Sequence, residues 1–105
     1  MLARISRERR SYPRIAVEMT VSCERAGEPA LVAAARDIGL GGIFIESSAP
    51  PPPFGSAVVV VGRLPGTTAE LRLPGIVRWV KKDGFGVQFD SLGARETHAI
   101  SLLLR

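Results

Sequence analysis

Three arginines near the start of the chain, Arg9, Arg10 and Arg14, are the residues best suited to chemistry with an anion. A guanidinium group donates two parallel hydrogen bonds to a phosphate, and its flat face can stack on a nucleobase. Arg4 and Arg7 add positive charge, opposed by a single glutamate in the first fourteen residues. This segment predicts contact with an anionic ligand. The alternative is a solvated basic tail without a ligand.

A second segment, Asp37-Ile38-Gly39-Leu40-Gly41-Gly42, places a carboxylate ahead of three glycines. Glycine adopts backbone conformations that other residues avoid and lets backbone N–H groups approach an anion closely. We therefore expect Gly39, Gly41 and Gly42 to use this freedom in a tight turn that lines one side of a ligand. The simpler interpretation is a turn without a ligand, closed by Asp37 through its own backbone.

The length and composition of the chain predict one folded domain. It has 105 residues, of which 46% are hydrophobic and 23% charged, and a formal net charge of +4. These values are typical of a globular domain with a compact core. We expect residues 1–14 to form a flexible basic arm and residues 15–105 to form the domain. No apolar run is long enough to cross a bilayer and no secretion signal is visible, which predicts a cytoplasmic protein without membrane insertion.

The scarcity of reactive side chains argues against catalysis. The chain has one cysteine, Cys23, and one histidine, His98. These two residues cannot assemble a transition-metal site unaided, and a disulfide needs a second cysteine. Neither a nucleophile motif nor paired carboxylates accompany His98. The sequence therefore predicts that the protein is not an enzyme and binds neither a metal nor a cofactor, and that Cys23 belongs to the core.

Alternating apolar and polar residues predict β-strands along most of the chain. Residues 15–24 are predicted to form a half-buried strand, and residues 30–36 to return as a second strand that delivers Asp37 at its end. The proline run at 50–53 requires an extended loop. Further strands are predicted at residues 43–46, 57–61, 70–81 and 85–89.

The end of the chain is predicted to complete a barrel with a helix. Pro74-Gly75 indicates an edge position or a bulge within the fifth strand, and Ser91 can cap the helix. Six strands followed by one helix indicate an all-β fold, a six-stranded antiparallel β-barrel with a C-terminal α-helix. The predicted core includes the aromatic residues Phe44, Trp79, Phe85 and Phe89, and the apolar stripe of the helix consists of Leu92, Ala99, Ile100, Leu103 and Leu104.

The arginine and glycine segments together resemble the signature of the PilZ domain family, bacterial receptors for cyclic di-GMP. That signature is Arg-x-x-x-Arg followed by Asp/Asn-x-Ser-x-x-Gly. Arg10 and Arg14 match its first half, and Asp37 and Gly42 match the ends of its second half, where Gly39 replaces the usual serine. Residues 75–80 and 84–89 are similar to the last two strands of the family. The PilZ fold, a six-stranded barrel with a C-terminal helix, agrees with the predicted strands.

The resemblance implies that the chain binds cyclic di-GMP. In the family, the two arginines hold phosphate and guanine, the turn lines the other side of the ligand, and the position of Arg9 bears on whether one ligand or a stacked pair is held. An arm ordered by the ligand would then signal to an as yet unidentified effector protein, in processes such as motility, exopolysaccharide output or virulence. The implied ligand-binding residues are Arg9, Arg10, Arg14, Asp37, Gly39, Gly41 and Gly42.

Two other functions stay open at this point. A PilZ-like adaptor that acts through protein contacts alone would result if replacing serine by Gly39 abolished nucleotide binding. A nucleic-acid-binding module is the other candidate, because a basic arm on a small barrel can follow a phosphate backbone. The sequence disfavours it, since Tyr12 is the only aromatic residue near the arm and such modules interleave aromatics with cations.

Overall fold

A computed structural model describes residues 13–105, which form six β-strands and one α-helix. All neighbouring strands pair antiparallel, and the sheet closes into a barrel in the order β1-β2-β3-β6-β5-β4. The predicted six-stranded barrel with a C-terminal helix is therefore confirmed. The elements are β1 Arg14–Glu24, β2 Leu31–Gly39, β3 Gly42–Glu46, β4 Ala57–Arg63, β5 Glu70–Lys81, β6 Gly84–Phe89 and α1 Ala94–Leu103.

The inward-facing apolar residues of the strands fill the barrel. Val17, Val21 and Cys23 from β1 are buried, as the alternation of residues 15–24 predicts, and Phe85 and Phe89 from β6 join them. Burial in this apolar environment raises the pKa of the Cys23 thiol to about 11. The core position predicted for Cys23 is confirmed.

The second strand continues beyond Asp37, which corrects the prediction that Asp37 ends it. Ile38 is completely buried and pairs with Ile15 of β1 and Ile43 of β3. This burial and the continued pairing carry β2 to Gly39, so only Leu40 and Gly41 connect β2 to β3. Asp37 consequently lies in the barrel wall and is held by pairing on both sides.

Trp79 lies on the surface, although the alternation in β5 predicts it in the core. Its exposed fraction is 49%. The register between β5 and β6 shifts between Val77 and Trp79, so that Arg78 is an extra residue and the side chains that follow change face. The predicted edge position or bulge at Pro74-Gly75 is wrong, since β5 pairs with both β4 and β6 and its pairing with β4 is regular there.

The C-terminal helix packs its apolar stripe against the core of the barrel. Ile100 is completely buried, and the other predicted stripe residues are partly buried against the core. The helix begins after Gly93, which provides no side-chain cap, so the predicted cap at Ser91 is wrong. Within residues 13–105, no helix is long and apolar enough to cross a membrane.

Candidate functional site

Arg14 and Asp37 meet on the outer surface where β1 begins and β2 ends. Arg14 lies opposite Gly39 and diagonally across from Asp37, which pairs with Ala16. The Nε of Arg14 donates a hydrogen bond of 2.8 Å to Oδ1 of Asp37, and its Nη2 donates to the same oxygen. Both side chains are about one-third exposed, at 34% and 38%. A guanidinium has five N–H groups, so Arg14 keeps further donors for an anion while Asp37 holds it.

Gly39 provides close packing and does not take the unusual backbone conformation that the sequence predicts. Its φ lies outside the left-handed region, and it is buried as the last residue of β2. A Cβ on Gly39 would lie 2.5 Å from the carbonyl oxygen of Pro13 and 3.1 Å from Cγ of Arg14. The missing side chain therefore lets the start of β1 lie close against β2.

Gly42 has a similar role on the other side of the turn. It begins β3 opposite Gln88, and a Cβ there would collide with the carbonyl oxygen of Val87. Gly41 lies in the connection before it, where its carbonyl oxygen accepts a hydrogen bond of 2.9 Å from the backbone N–H of Phe89. Gly41 and Gly42, like Gly39, lie outside the left-handed region, so the expected conformational role is wrong for all three glycines.

Arg9 and Arg10 lie outside the described residues. Arg10 precedes Arg14 by four positions in the sequence. Both arginines stay predictions as ligand contacts.

An outer row of residues, which the sequence did not predict, crosses four strands from Asp37. It consists of Asp37 in β2, Phe44 in β3, Gly86 in β6 and Trp79 in β5, each opposite the next. The ring of Trp79 covers Gly86 so closely that a Cβ there would collide with it. Phe44 is half-buried, and Nζ of Lys81 lies 5.7 Å from its ring centroid. Phe44 and Trp79 thus lie at the surface, and the predicted core positions are wrong.

The sequence contains one indication of the outer row, which is the spacing of two glycines in β6. Gly84 and Gly86 alternate along β6, so its outer face has no side chain at these positions. Aromatic residues on neighbouring strands commonly cover such glycines. A Cβ on Gly84 would collide with the carbonyl oxygen of Ile45 and would lie 3.0 Å from Cζ of Phe44, so the Phe44 ring also borders this glycine.

Arg78 adds a second cation to this side of the barrel. It is the extra residue of the β5 irregularity, and its Nε donates a hydrogen bond of 3.1 Å to Oε1 of Gln88. Gln88 lies opposite Gly42. The surface between Arg14 and Arg78 therefore combines cations, the glycines of the turn and aromatic faces, a combination suited to phosphates and nucleobases.

Comparison with known proteins gives a consistent result. The sequence model of the PilZ domain matches residues 8–105. No curated protein sequence is significantly similar to the chain.

Solved structures share this fold at low sequence identity. The inhibitor of motility MotI from Bacillus subtilis superposes with a TM-score of 0.79 at 16% identity over 92% of this chain and 50% of MotI. The PilZ domain of YcgR from Escherichia coli, solved with c-di-GMP, gives 0.74 at 14% identity over 92% and 89% of the two chains. The MrkH–c-di-GMP complex from K. pneumoniae gives 0.68 at 16% identity over 92% and 51%.

The matched lengths show which part of each known protein this chain shares. The chain spans half the length of MotI, so the likeness concerns only that half of the protein. The barrel, its strand order and its helix are the shared features. Because the family match also extends over nearly the whole sequence, from residue 8 to residue 105, the chain belongs to the PilZ domain family.

Proposed function

We propose that this chain is a receptor domain for cyclic di-GMP, in which Arg10 and Arg14 hold phosphate and guanine groups of the ligand. The observation that carries the proposal is the position of Arg14. Asp37 holds its guanidinium on the outer surface, next to Gly39 of the signature turn. Family membership and the c-di-GMP found with YcgR and MrkH support this choice of ligand.

The proposed contacts account for a large part of the free energy of a signalling affinity. A hydrogen bond to a charged group contributes about 1.5–3 kcal/mol, and micromolar binding requires about 8 kcal/mol. Several such bonds from Arg10 and Arg14 supply much of that free energy. Because Asp37 already restricts the side chain of Arg14, less side-chain entropy is lost when the ligand binds.

The ligand acts in this proposal by bringing the residues that precede Pro13, with Arg9 and Arg10, against the barrel. Their arginines supply charge that a phosphate attracts, and ordering them changes the shape and charge of the surface that a partner protein meets. The domain is then a receptor and adaptor, not a catalyst. MotI is an inhibitor of motility, which supports regulation of motility as one process for this domain.

Isothermal titration with cyclic di-GMP tests the proposal on the native chain and on Arg10→Ala and Arg14→Ala. Each variant loses charge-assisted hydrogen bonds, so its Kd is expected to rise at least tenfold. Arg72→Ala is the matched control. Arg72 forms an exposed ion pair of 2.8 Å with Glu24, at the opposite end of β1 from Arg14.

The outcomes separate the proposed receptor from the alternative adaptor. Unchanged affinity in Arg72→Ala together with weak binding in both signature variants supports the receptor. If the native chain releases no heat with the nucleotide, the receptor proposal fails and the ligand-independent adaptor takes its place. If Arg14→Ala binds as tightly as the native chain, the site is wrong.

One observation favours nucleic acid as a second candidate ligand. The aromatic residue Trp79 is exposed beside Arg78, and exposed aromatics next to cations suit single-stranded nucleic acid. Fluorescence anisotropy with a labelled single-stranded oligonucleotide tests this candidate. Binding that weakens steeply with salt and is reduced by Trp79→Ala would support it, and the absence of binding at low salt would exclude it.

A further inference from the structure

The first residues of β1 cross the end of β2 at very close range. Gly39 lies opposite Arg14, and a Cβ there would be 2.5 Å from the carbonyl oxygen of Pro13. Real Cβ atoms essentially never come within 3.0 Å of a heavy atom outside their own residue and its chain neighbours, so the two strands would have to separate by about half an ångström or more. The obstacle is a backbone oxygen, which cannot rotate away as a flexible side chain can.

The same Cβ would also disturb the side chain of Arg14. It would lie 3.1 Å from Cγ of Arg14, on the outer face that the two residues share. From its position opposite Gly39, Arg14 reaches diagonally to Asp37, with 2.8 Å between its Nε and Oδ1. Hydrogen bonds weaken as they lengthen and bend, so displacing the backbone at Arg14 weakens the hydrogen bond from Arg14 to Asp37.

We infer that Gly39 is a positioning residue, whose missing side chain seats the start of β1 so that Asp37 can hold Arg14. Its φ lies outside the left-handed region, so backbone freedom does not explain the glycine at this site. A serine there adds the same Cβ as an alanine, and restoring the usual signature residue weakens ligand binding in this chain. The ligand readout of this inference rests on the proposed function.

Two measurements on Gly39→Ala and Gly39→Ser test the inference. Titration with cyclic di-GMP should give a Kd at least tenfold higher than native for both variants. NMR of the ligand-free proteins should show that the Arg14 Nε–H signal shifts and exchanges faster with solvent, as it should in Asp37→Asn. Alanine isolates the effect of the Cβ, and serine adds the hydroxyl.

Gly75→Ala is the matched control. A Cβ on Gly75 collides with the carbonyl oxygen of Gln88, an equally severe backbone contact, but in β5. This variant should lose stability without changing the Arg14 Nε–H signal. If the Gly39 substitutions acted only by lowering stability, Gly75→Ala would change the Arg14 Nε–H signal in the same way as the Gly39 variants do.

Each outcome decides the inference. The inference is overturned if Gly39→Ser binds the ligand as tightly as the native chain does, or more tightly. It is also overturned if both Gly39 variants unfold, because the whole barrel would then fail before the start of β1 moved. An unchanged Arg14 signal in the folded variants also overturns it. If the native chain does not bind cyclic di-GMP, the proposed function fails, whereas a signal changed by Gly39→Ala and not by Gly75→Ala still supports the positioning role.

Discussion

The contact between Arg14 and Asp37 matters for geometry more than for stability. Exposed ion pairs contribute about 0–1 kcal/mol to folding, and this pair is about one-third exposed, at 34% and 38%. Arg36 and Glu46 form a similar exposed pair of 2.7 Å on neighbouring strands. What distinguishes Arg14 is its neighbour Gly39, which removes a side chain from the space that the arginine crosses.

Cys23 gives a prediction at the residue scale. Its pKa is raised from 9.0 to about 11 by burial, so the folded protein retains the thiol proton more strongly than the unfolded chain does. The stabilising contribution is complete below pH 9 and is lost as the pH rises towards 11. Over that window, the native protein should lose about 2–3 kcal/mol more stability than Cys23→Ala, as measured by urea unfolding.

A thiol reagent provides the second readout for Cys23. Because the side chain is only 2% exposed, the folded protein should react with Ellman's reagent only as fast as it opens. Rapid labelling of the native protein at pH 8, or equal loss of stability in Cys23→Ala, would contradict the prediction.

At the scale of elements, the hairpin of β5 and β6 determines which side chains reach the surface beside the site. The extra residue Arg78 turns Trp79 outward, and Gly86 provides the flat surface on which its ring lies. β6 itself stays regular and buries Phe85 and Val87 completely. One irregularity in one strand thus creates the exposed aromatic end of the outer row.

A double-mutant cycle tests this packing between β5 and β6. Gly86→Ala places a methyl group against the ring of Trp79 and should destabilise the protein by about 1–3 kcal/mol in urea unfolding. In the Trp79→Ala background the same substitution should cost less, because the ring is gone. Equal costs in the two backgrounds would mean that the ring does not limit the space at Gly86.

At the scale of the whole molecule, the closed barrel brings distant parts of the chain to one site. The pairing of β1 with β2 brings together Arg14 and Asp37, which are 23 residues apart in sequence. Closure by β1 and β4 also leaves no free edge among the six strands. A ligand bound at the start of β1 should therefore stabilise the folded domain as a unit.

Thermal unfolding measures how much the bound ligand stabilises the folded domain. At a ligand concentration one hundred times Kd, binding to the native state alone stabilises it by about 2.7 kcal/mol, which raises Tm by roughly 10–20 °C for a domain near 100 residues. Arg10→Ala should show a much smaller rise at the same concentration of cyclic di-GMP. An equal rise in both proteins would exclude Arg10 from the binding site.

Local sequence pattern determined most of the fold. Strand alternation predicts the inward positions of Val21 and Phe85, and helical spacing predicts the burial of Ile100, because each depends only on neighbouring residues. Arg14 and Asp37 were singled out by their resemblance to the PilZ signature. Arg9 and Arg10 lie outside the described residues, so their part in the site stays a prediction.

Only the tertiary structure determined on which face Trp79 lies and which residue approaches Gly39. Trp79 faces outward because a one-residue register shift reverses the face of every later side chain, and that shift depends on pairing with β6. The positioning role proposed for Gly39 depends on Pro13, which approaches it only through the pairing of β1 with β2. Sequence determined that Arg14 and Asp37 are present, and strand register determined that they meet, because register is a property of pairs of strands and not of either strand alone.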